Sequence, residues 1–309
     1  MPAYHVEKTV KINGSKSQVL AEISDFRQWP AWSPWLILEP KCSLNYTGEQ
    51  GQESAGYSWD GDMVGAGEMQ LTGIGEQQLE MSLTFLRPFK SEAKVVFDII
   101  EQADSCLVTW HMYGSLPFYL FFMKKMMQGW IGMDYERGLR MLKSVVETTK
   151  VNSTPEIIGY AEQPAQYYIG LTHSASIEAI GPIMREDFAR LNEYVRDKNI
   201  VVTGAPFTLY HKMNMVTTES NFTSALPVSE KIEVPAPFEF HQLKATKTWQ
   251  VKHTGHYEFL GNAWALAMMA SRHQKVKTRK KPMGIERYLN DPATTPAEAL
   301  ETQVALLCK

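Results

Sequence analysis

A glutamate set among apolar and aromatic residues is the feature of this sequence best suited to chemistry. Glu286 lies in the segment IERY at 285–288, whose alternation predicts a strand. The alternation puts Tyr288 on the same face as Glu286 and Arg287 on the other. A buried carboxylate needs a partner, and a cationic ligand can supply one, with cation–π attraction of about 0.5–2 kcal/mol per aromatic ring. The alternative is an exposed strand glutamate that pairs with Arg287 or a nearby lysine.

Aromatic residues in the same half are candidates to line a pocket with this carboxylate. Tyr210 is the counterpart of Tyr288 in an internal repeat, so we expect it to face the same cleft. We predict ligand binding in this half by Glu286, Tyr288, Tyr210, Tyr168, Trp249, Tyr257 and Trp264. Core packing remains the ordinary role of any one of these rings. His256 is a candidate general base beside Glu286, although a lone histidine is more often structural.

The first half offers a second, apolar set of candidates. Tryptophans are frequent there, and we predict that Trp32, Trp59 and Trp110 line a ligand cavity. Methionines crowd the last helix of this half, and methionine suits adaptable apolar pockets. The alternative is a packed, methionine-rich core without a cavity.

Several kinds of chemistry have no support in the sequence. It contains no GxSxG, P-loop, GxGxxG or HExxH motif, so we predict no catalytic residue, no metal site and no cofactor. The three cysteines, Cys42, Cys106 and Cys308, are far apart and form no CxxC pair. Their spacing argues against a disulfide framework and a zinc site, and it favours a reducing compartment.

Charge and hydropathy narrow the choice of partners. The 309 residues carry a net charge of −3, and neither half has the positive field that nucleic-acid binding needs. The basic run at 272–281 contains no aromatic residues, which favours a solvated loop. The first residues lack the apolar core of a signal peptide, and the longest apolar run, 116–123, is too short to span a bilayer. We therefore predict a cytoplasmic protein with no membrane and no nucleic-acid partner.

The elements that must position these residues form two predicted domains, 1–150 and 155–309, joined by the polar segment 148–155. The first is predicted to be mostly β. It has a strand at 3–12, a helix at 15–26 that Ser17 can cap, and six short strands between 41 and 113. Helical spacing of apolar residues then predicts a long amphipathic helix over 124–149, which would pack on the concave face of one antiparallel sheet.

The second predicted domain contains an internal repeat. The first copy has a strand at 166–171, a helix at 177–197 and a strand at 201–213. The second copy has a strand at 249–253, a helix at 257–272 and a strand at 281–288. A strand–helix–strand unit that repeats after about 80 residues indicates pseudo-twofold duplication rather than a solenoid. A duplicated pair leaves a cleft between its halves, and clefts are common ligand sites.

Motifs spread over 3–148 carry a family resemblance. They are ISDF at 23–26, WPAWSPW at 29–35, glycine-rich strands at 56–59 and 65–68, and YERGL at 135–139 in the long helix. On these residues the first domain resembles the START-like, polyketide cyclase/dehydrase superfamily, which has the helix-grip fold. The resemblance implies a sheet that wraps around the last helix and often leaves a hydrophobic cavity.

A second and more specific resemblance covers 155–309. It rests on GAPFTLY at 204–210, TGHY at 254–257 and IERY at 285–288, followed by the DP pair at 291–292. On these residues the domain resembles the GyrI-like effector-binding domain of multidrug-sensing regulators. That resemblance implies a buried glutamate in the second repeat that meets cationic aromatic ligands, and Glu286 is the position that fits. The helix-turn-helix domain of those regulators is not predicted in this sequence.

These observations together predict an α+β protein. A helix-grip antiparallel sheet around a long C-terminal helix is followed by a pseudo-twofold duplicated strand–helix–strand effector-binding domain. The predicted function is binding of an amphipathic or cationic aromatic small molecule, for sensing or sequestration. Two alternatives stay open. One is a hydrolase or cyclase that acts on hydrophobic electrophiles through Glu286 and a cleft tyrosine. The other is an accessory protein with a protein partner.

Overall fold

The computed structural model describes residues 3–214 and 216–309. These residues separate into two compact units, which divide between Val151 and Asn152. Among the described helices, none combines the length and the apolar character that crossing a membrane requires.

The first unit is built on a seven-stranded antiparallel sheet with the order β1-β7-β6-β5-β4-β3-β2. The strands are β1 (Ala3–Ile12), β2 (Ser43–Thr47), β3 (Gly56–Gly61), β4 (Gly65–Ile74), β5 (Gln78–Arg87), β6 (Ser91–Gln102) and β7 (Ser105–Ser115). Alternate residues of β1 are buried, as the period of its apolar side chains predicts. The last strand, β7, pairs with β1, so the two lie side by side although they are far apart in sequence.

Helices cover the inner face of this sheet. They are α1 (Lys16–Ser24), the one-turn α2 (Trp29–Trp32) and the long α3 (Lys124–Thr148), with short 3₁₀ turns at Leu36–Leu38 and Phe118–Met123. The predicted cap of α1 is wrong: Ser15 rather than Ser17 accepts the hydrogen bond from the Gln18 backbone, and the Gln18 side-chain oxygen accepts one from the Ser15 backbone N–H. The prediction of α3 agrees with the structure to within one residue, and α3 packs along β1.

The second unit contains an eight-stranded antiparallel sheet with the order β12-β9-β11-β10-β14-β15-β13-β8. Its strands are β8 (Ser153–Gln163), β9 (Gln166–Ser176), β10 (Phe207–Asn214), β11 (Glu219–Val228), β12 (Glu239–Leu243), β13 (Thr246–Gly255), β14 (Gly284–Tyr288) and β15 (Glu301–Leu307). Two helices lie on one face, α4 (Ile177–Asp197) and α5 (Gly261–His273). Because β8 begins at Ser153, the polar segment between the two units is shorter than the predicted 148–155.

The duplication predicted from the sequence is confirmed in this strand order. The unit β9-α4-β10-β11 is followed by β13-α5-β14-β15, and the central pair of the sheet is β10 with β14. Each copy therefore contributes a further strand, β11 or β15, that the strand–helix–strand pattern did not include. A pseudo-twofold axis passes between β10 and β14, where Thr208 is paired directly with Glu286.

Candidate functional site

The two helices of the second unit leave the centre of its sheet between them. Helix α4 packs on β9 and β11, whereas α5 packs on β8, β13 and β15. The central strands β10 and β14 therefore form the floor of a cleft, with one helix on each side. The side chains on this floor are Thr208 and Tyr210 from β10, and Glu286 and Tyr288 from β14.

Glu286 lies at the centre of this floor and is only 5% exposed. Its Oε2 accepts hydrogen bonds from the Tyr210 hydroxyl at 3.0 Å and from the Tyr288 hydroxyl at 2.9 Å. Its Oε1 accepts a hydrogen bond from the indole N–H of Trp264 on α5. Four of the predicted ligand-binding residues thus meet at one carboxylate. Strand alternation predicts Tyr288 beside Glu286, and the repeat predicts Tyr210, whereas Trp264 comes from a helix.

The three donors around Glu286 are all electrically neutral. Among the described residues, no cationic side chain contributes to the electrostatics of this carboxyl. The alternative of an ion pair with Arg287 is wrong, because Arg287 lies on the opposite face, where it donates to Gln163 and packs over the Phe207 ring. Burial raises the pKa of Glu286, and the hydrogen bonds from its three donors offset only part of that rise.

The same burial acts on the two tyrosines. It raises the pKa of Tyr210 and of Tyr288 well above the ordinary value, and the neighbouring Glu286 carboxylate adds to both shifts. Both hydroxyls therefore stay protonated and remain donors to Glu286 at neutral pH. The four side chains of the floor therefore suit a positively charged group and include no cation that could bind an anion.

Apolar side chains form the walls of the cleft. Ile180 packs with Tyr210 and Phe222, and partly buried neighbours extend this cluster: Ala175, Ile177, Ile183, Met184, Trp264 and Met283. The ring of Tyr257 meets that of Tyr288 edge to face at 5.7 Å between centroids, and Trp264 meets Tyr210 in the same way at 5.3 Å. The predicted residue Tyr257 thus borders the site, and its buried hydroxyl has no hydrogen-bond partner among the described residues.

The two halves of the cleft are alike in position but not in chemistry. Tyr210 and Tyr288 are counterparts in the repeat, and both donate to the same carboxylate. Thr208 is the counterpart of Glu286, and its hydroxyl lies 3.1 Å from the Tyr288 hydroxyl. At this pair of positions, only the second copy of the repeat carries a carboxylate.

Two further polar groups flank the floor, and sequence reasoning missed both. Asp187 of α4 is almost fully buried, where it accepts from the Ser224 hydroxyl at 2.8 Å and lies 2.9 Å from His173 Nε2. On the other side His253 of β13 is fully buried and contacts the Ser153 hydroxyl at 2.9 Å, and burial lowers its pKa to about 4. The registers make His173 and His253 repeat counterparts, a relation that could have been found by aligning the two copies.

Three sequence candidates lie away from the cleft floor. Tyr168 is on the opposite face of the sheet, in a core with Phe207 and Leu209. Trp249 is on the same face as Glu286 but two strands away, beneath α5 and against Tyr160. His256 is exposed at the start of a short 3₁₀ turn, where its ring accepts from the Glu258 backbone rather than reaching Glu286.

The tryptophans of the first unit have a different environment. Trp32 and Trp110 are completely buried, and their ring centroids are 5.6 Å apart. Trp110 also stacks on Tyr135 of α3 at 4.0 Å and on Phe97 at 4.9 Å. Trp59 is partly exposed and lines a shallow depression at the sheet surface together with Asp60 and Leu86. Cavity lining by these three residues stays a prediction.

Comparison with known protein families places each unit. Residues 3–147 match the family described as polyketide cyclase / dehydrase and lipid transport, and residues 160–307 match the GyrI-like small molecule binding domain. Both families bind small molecules, and the two matches confirm the resemblances and the α+β fold predicted from the sequence. Among curated proteins, none matches the chain.

Solved structures similar to this chain share little sequence with it. The crystal structure of the EcmrR C-terminal domain is 16% identical, with a TM-score of 0.42, and the match covers 51% of this chain and 98% of that one. A cryo-EM structure of an EcmrR–DNA complex is 16% identical, with a TM-score of 0.42, over 60% of this chain and 66% of that one. CalU16 from Micromonospora echinospora is 13% identical, with a TM-score of 0.34, over 48% and 78%. This chain thus spans about two thirds of the EcmrR chain in the complex.

Proposed function

Because the chain joins a domain of the polyketide cyclase/dehydrase and lipid transport family to a GyrI-like small molecule binding domain, we propose that it captures amphipathic aromatic cations in the cleft of the second domain. In this proposal Glu286 is the charge partner of the ligand. Capture without chemical change suits sensing or sequestration.

One observation carries the proposal: Glu286 is a buried carboxylate that the protein surrounds with neutral donors only. Burial of a charge without an opposite charge costs several kcal/mol, and a cationic ligand recovers part of that energy when it enters. The hydrogen bonds from Tyr210, Tyr288 and Trp264 fix the carboxylate in place. Ligand binding therefore needs no rearrangement of the charge partner, which favours affinity.

The walls support an aromatic, rather than a small inorganic, cation. The rings of Tyr257, Tyr288 and Trp264 stand around the carboxylate, and aromatic rings attract a flat cation. Met184 and Met283 add flexible apolar surface, which adapts to ligands of different shape. Hydrophobic burial then supplies most of the affinity, and the single charge supplies selectivity.

A matched pair of probes tests the proposal. We would titrate 10-methylacridinium, a permanent cation, and acridine, its neutral analogue at mildly alkaline pH, into the wild type and the Glu286→Gln variant. Tryptophan fluorescence and calorimetry would report binding. We expect the variant to bind the cation at least tenfold more weakly, which is about 1.4 kcal/mol, and to bind acridine as the wild type does.

The control variant is Glu162→Gln, which removes an exposed carboxylate of β8. It should bind both probes as the wild type does, and thermal unfolding would establish that both variants are folded. Equal affinity of wild type and Glu286→Gln for the cation would refute Glu286 as charge partner. Chromatography of the probe after long incubation separates capture from catalysis, because an enzyme would convert it.

A further inference from the structure

Three potential metal ligands meet on the outer face of the sheet in the first domain. His5 and Glu7 lie two residues apart on β1, so both side chains point to the same face. Glu7 is paired directly with His111 on the neighbouring strand β7. Within residues 3–214 and 216–309, this is the group whose three ligand atoms all lie within 4.8 Å of one another.

The distances among the three atoms fit the face of a tetrahedron around one ion. His5 Nε2 is 3.0 Å from His111 Nδ1, His111 Nδ1 is 3.3 Å from Glu7 Oε2, and His5 Nε2 is 3.6 Å from Glu7 Oε2. Zinc bonds of about 2.0–2.1 Å to nitrogen and oxygen place the ligand atoms of a tetrahedral site about 3.3–3.4 Å apart. The mean of the three separations lies in that range, so the three atoms are spaced as ligands of one ion are.

The second nitrogen of His111 is already fixed by a carboxylate. His111 Nε2 lies 3.0 Å from Asp98 Oδ2 on β6, and the other oxygen of Asp98 accepts a hydrogen bond from Gln78 at 2.8 Å. The His111 Nε2–H group therefore donates to Asp98, which leaves the lone pair of Nδ1 free for a cation. A carboxylate behind a ligating histidine is the usual support of a zinc site, because it sets the tautomer and the ring orientation.

The neutral form of His111 leaves room for a cation in this triangle. With Nε2–H given to Asp98, the free lone pair of His111 Nδ1 lies 3.0 Å from His5 Nε2 and 3.3 Å from Glu7 Oε2. The lone pair and the Glu7 carboxylate repel each other in this tautomer. One divalent cation at the centre attracts all three atoms at once and offsets the charges of Glu7 and Asp98.

The surroundings favour zinc and leave one coordination position for solvent or another ligand. Two imidazoles with one carboxylate suit Zn²⁺ better than Mg²⁺ or Ca²⁺, which prefer oxygen ligands. The side chains of His5 and Glu7 are 39% and 59% exposed, so an ion can enter from solvent, whereas His111 is 10% exposed and held firmly. The His5 ring also stacks on Tyr113 at 4.3 Å between centroids, which limits its motion.

We propose that His5, Glu7 and His111 form a zinc site on the outer face of the β1–β7 pair, with Asp98 as the positioning residue of His111. Sequence motifs did not signal it, since the ligands come from two strands that only the fold brings together. The site lies in the first domain and does not depend on the function proposed for the second.

The test uses the full chain without an affinity tag and Zn²⁺ alone as the probe. Competition against a chromophoric chelator would give the stoichiometry and Kd. We expect one Zn²⁺ per chain, with a Kd at least tenfold higher in His5→Gln and in Glu7→Gln. Asp98→Asn should raise the Kd about tenfold while keeping the stoichiometry, as loss of a supporting carboxylate does. His241→Gln, which removes an exposed histidine of the second domain, should bind as the wild type does.

Cobalt supplies a spectroscopic readout of the same site. Four-coordinate Co²⁺ bound to the wild type should absorb strongly in the visible range, and His5→Gln should lose that absorption. Because His5 and Glu7 are partly exposed, both variants should unfold at the temperature of the metal-free wild type, and only the wild type should gain stability on adding zinc. The proposal is overturned if the wild type shows no saturable binding at micromolar free Zn²⁺, or if His5→Gln and Glu7→Gln bind as tightly as the wild type.

Discussion

Both domains gather aromatic side chains beneath their helices, but they do so in opposite ways. In the first domain Trp32, Trp110 and Tyr135 pack ring against ring, and the indole nitrogen of Trp110 is buried without a partner among the described residues. In the second domain the polar ends of Tyr210, Tyr288 and Trp264 converge on one carboxylate. Aromatic content therefore does not distinguish the two interiors. They differ in what the polar atoms of the rings contact.

Truncation of a ring in the first domain should have the largest effect on stability. Trp110→Ala removes a fully buried side chain that touches several other rings, so we expect a loss of about 3–5 kcal/mol from the free energy of unfolding. Differential scanning calorimetry would follow the transition of this domain. Tyr119→Ala, at an exposed position, should change stability by less than about 0.5 kcal/mol. A loss below about 1 kcal/mol for Trp110→Ala would mean that this interior is an open cavity rather than a packed core.

Acid should destabilise the second domain through one of its histidines. The pKa of His253 is lowered by burial to about 4 from 6.5, so the unfolded chain binds a proton between these values that the folded domain does not. Stability should therefore fall as the pH drops from 6.5 to about 4, by up to about 3 kcal/mol. Urea unfolding across this range should show a shallower decline in His253→Gln than in the wild type. His241→Gln is the control, and identical curves for wild type and His253→Gln would contradict the prediction.

Removal of one donor to Glu286 should have an intermediate effect. Tyr210→Phe keeps the ring but deletes a hydrogen bond to a buried carboxylate, which costs about 1.5–3 kcal/mol. Tyr57→Phe makes the same change in the first domain, where the ring packs between Phe26 and Trp59, and should leave stability nearly unchanged. Chemical denaturation of both variants would measure the difference. Equal losses of stability in the two variants would mean that the hydrogen bond from Tyr210 to Glu286 contributes no more than the hydroxyl of Tyr57 does.

The smallest effect is expected from Glu286→Gln in the absence of ligand. The raised pKa of Glu286 means that the folded domain holds a proton above 4.5, where the unfolded chain releases it. Stability then declines as the pH rises from 4.5 through the folded pKa, and the variant should lack this decline. At alkaline pH we expect Glu286→Gln to be more stable than the wild type by about 1 kcal/mol. Thermal unfolding over pH would measure it, and a destabilised variant would show that the carboxylate is structural.

Much of the fold could be predicted because local patterns agree with it. The alternation in β1 and the helical spacing in α4 give the bounds of both elements. Strand β11 was not predicted, since it contains Pro227, a residue that usually argues against a central strand, and buries the polar residues Ser224 and Thr223. Such residues are tolerated because their hydroxyls find partners elsewhere in the fold, which a local pattern does not reveal.

The candidate site could be predicted only from the alternation of side chains along a strand and from the internal repeat. Alternation within β14 placed Tyr288 beside Glu286, and the repeat added Tyr210. Tyr168 is three strands from Glu286 and on the opposite face, and its position depends on the registers between strands, which the sequence does not show. The same reason hid His5, Glu7 and His111, whose proximity depends on the pairing of β1 with β7.

The difference between Glu286 and Thr208, which face each other across the pseudo-twofold axis, has one more consequence. A cleft with identical halves would offer any ligand two equivalent orientations. Since Glu286 faces Thr208 across the axis, the two halves of the floor differ by one carboxylate at this pair of positions. A cation whose charge is at one end of the molecule would then prefer the orientation that brings that end to Glu286.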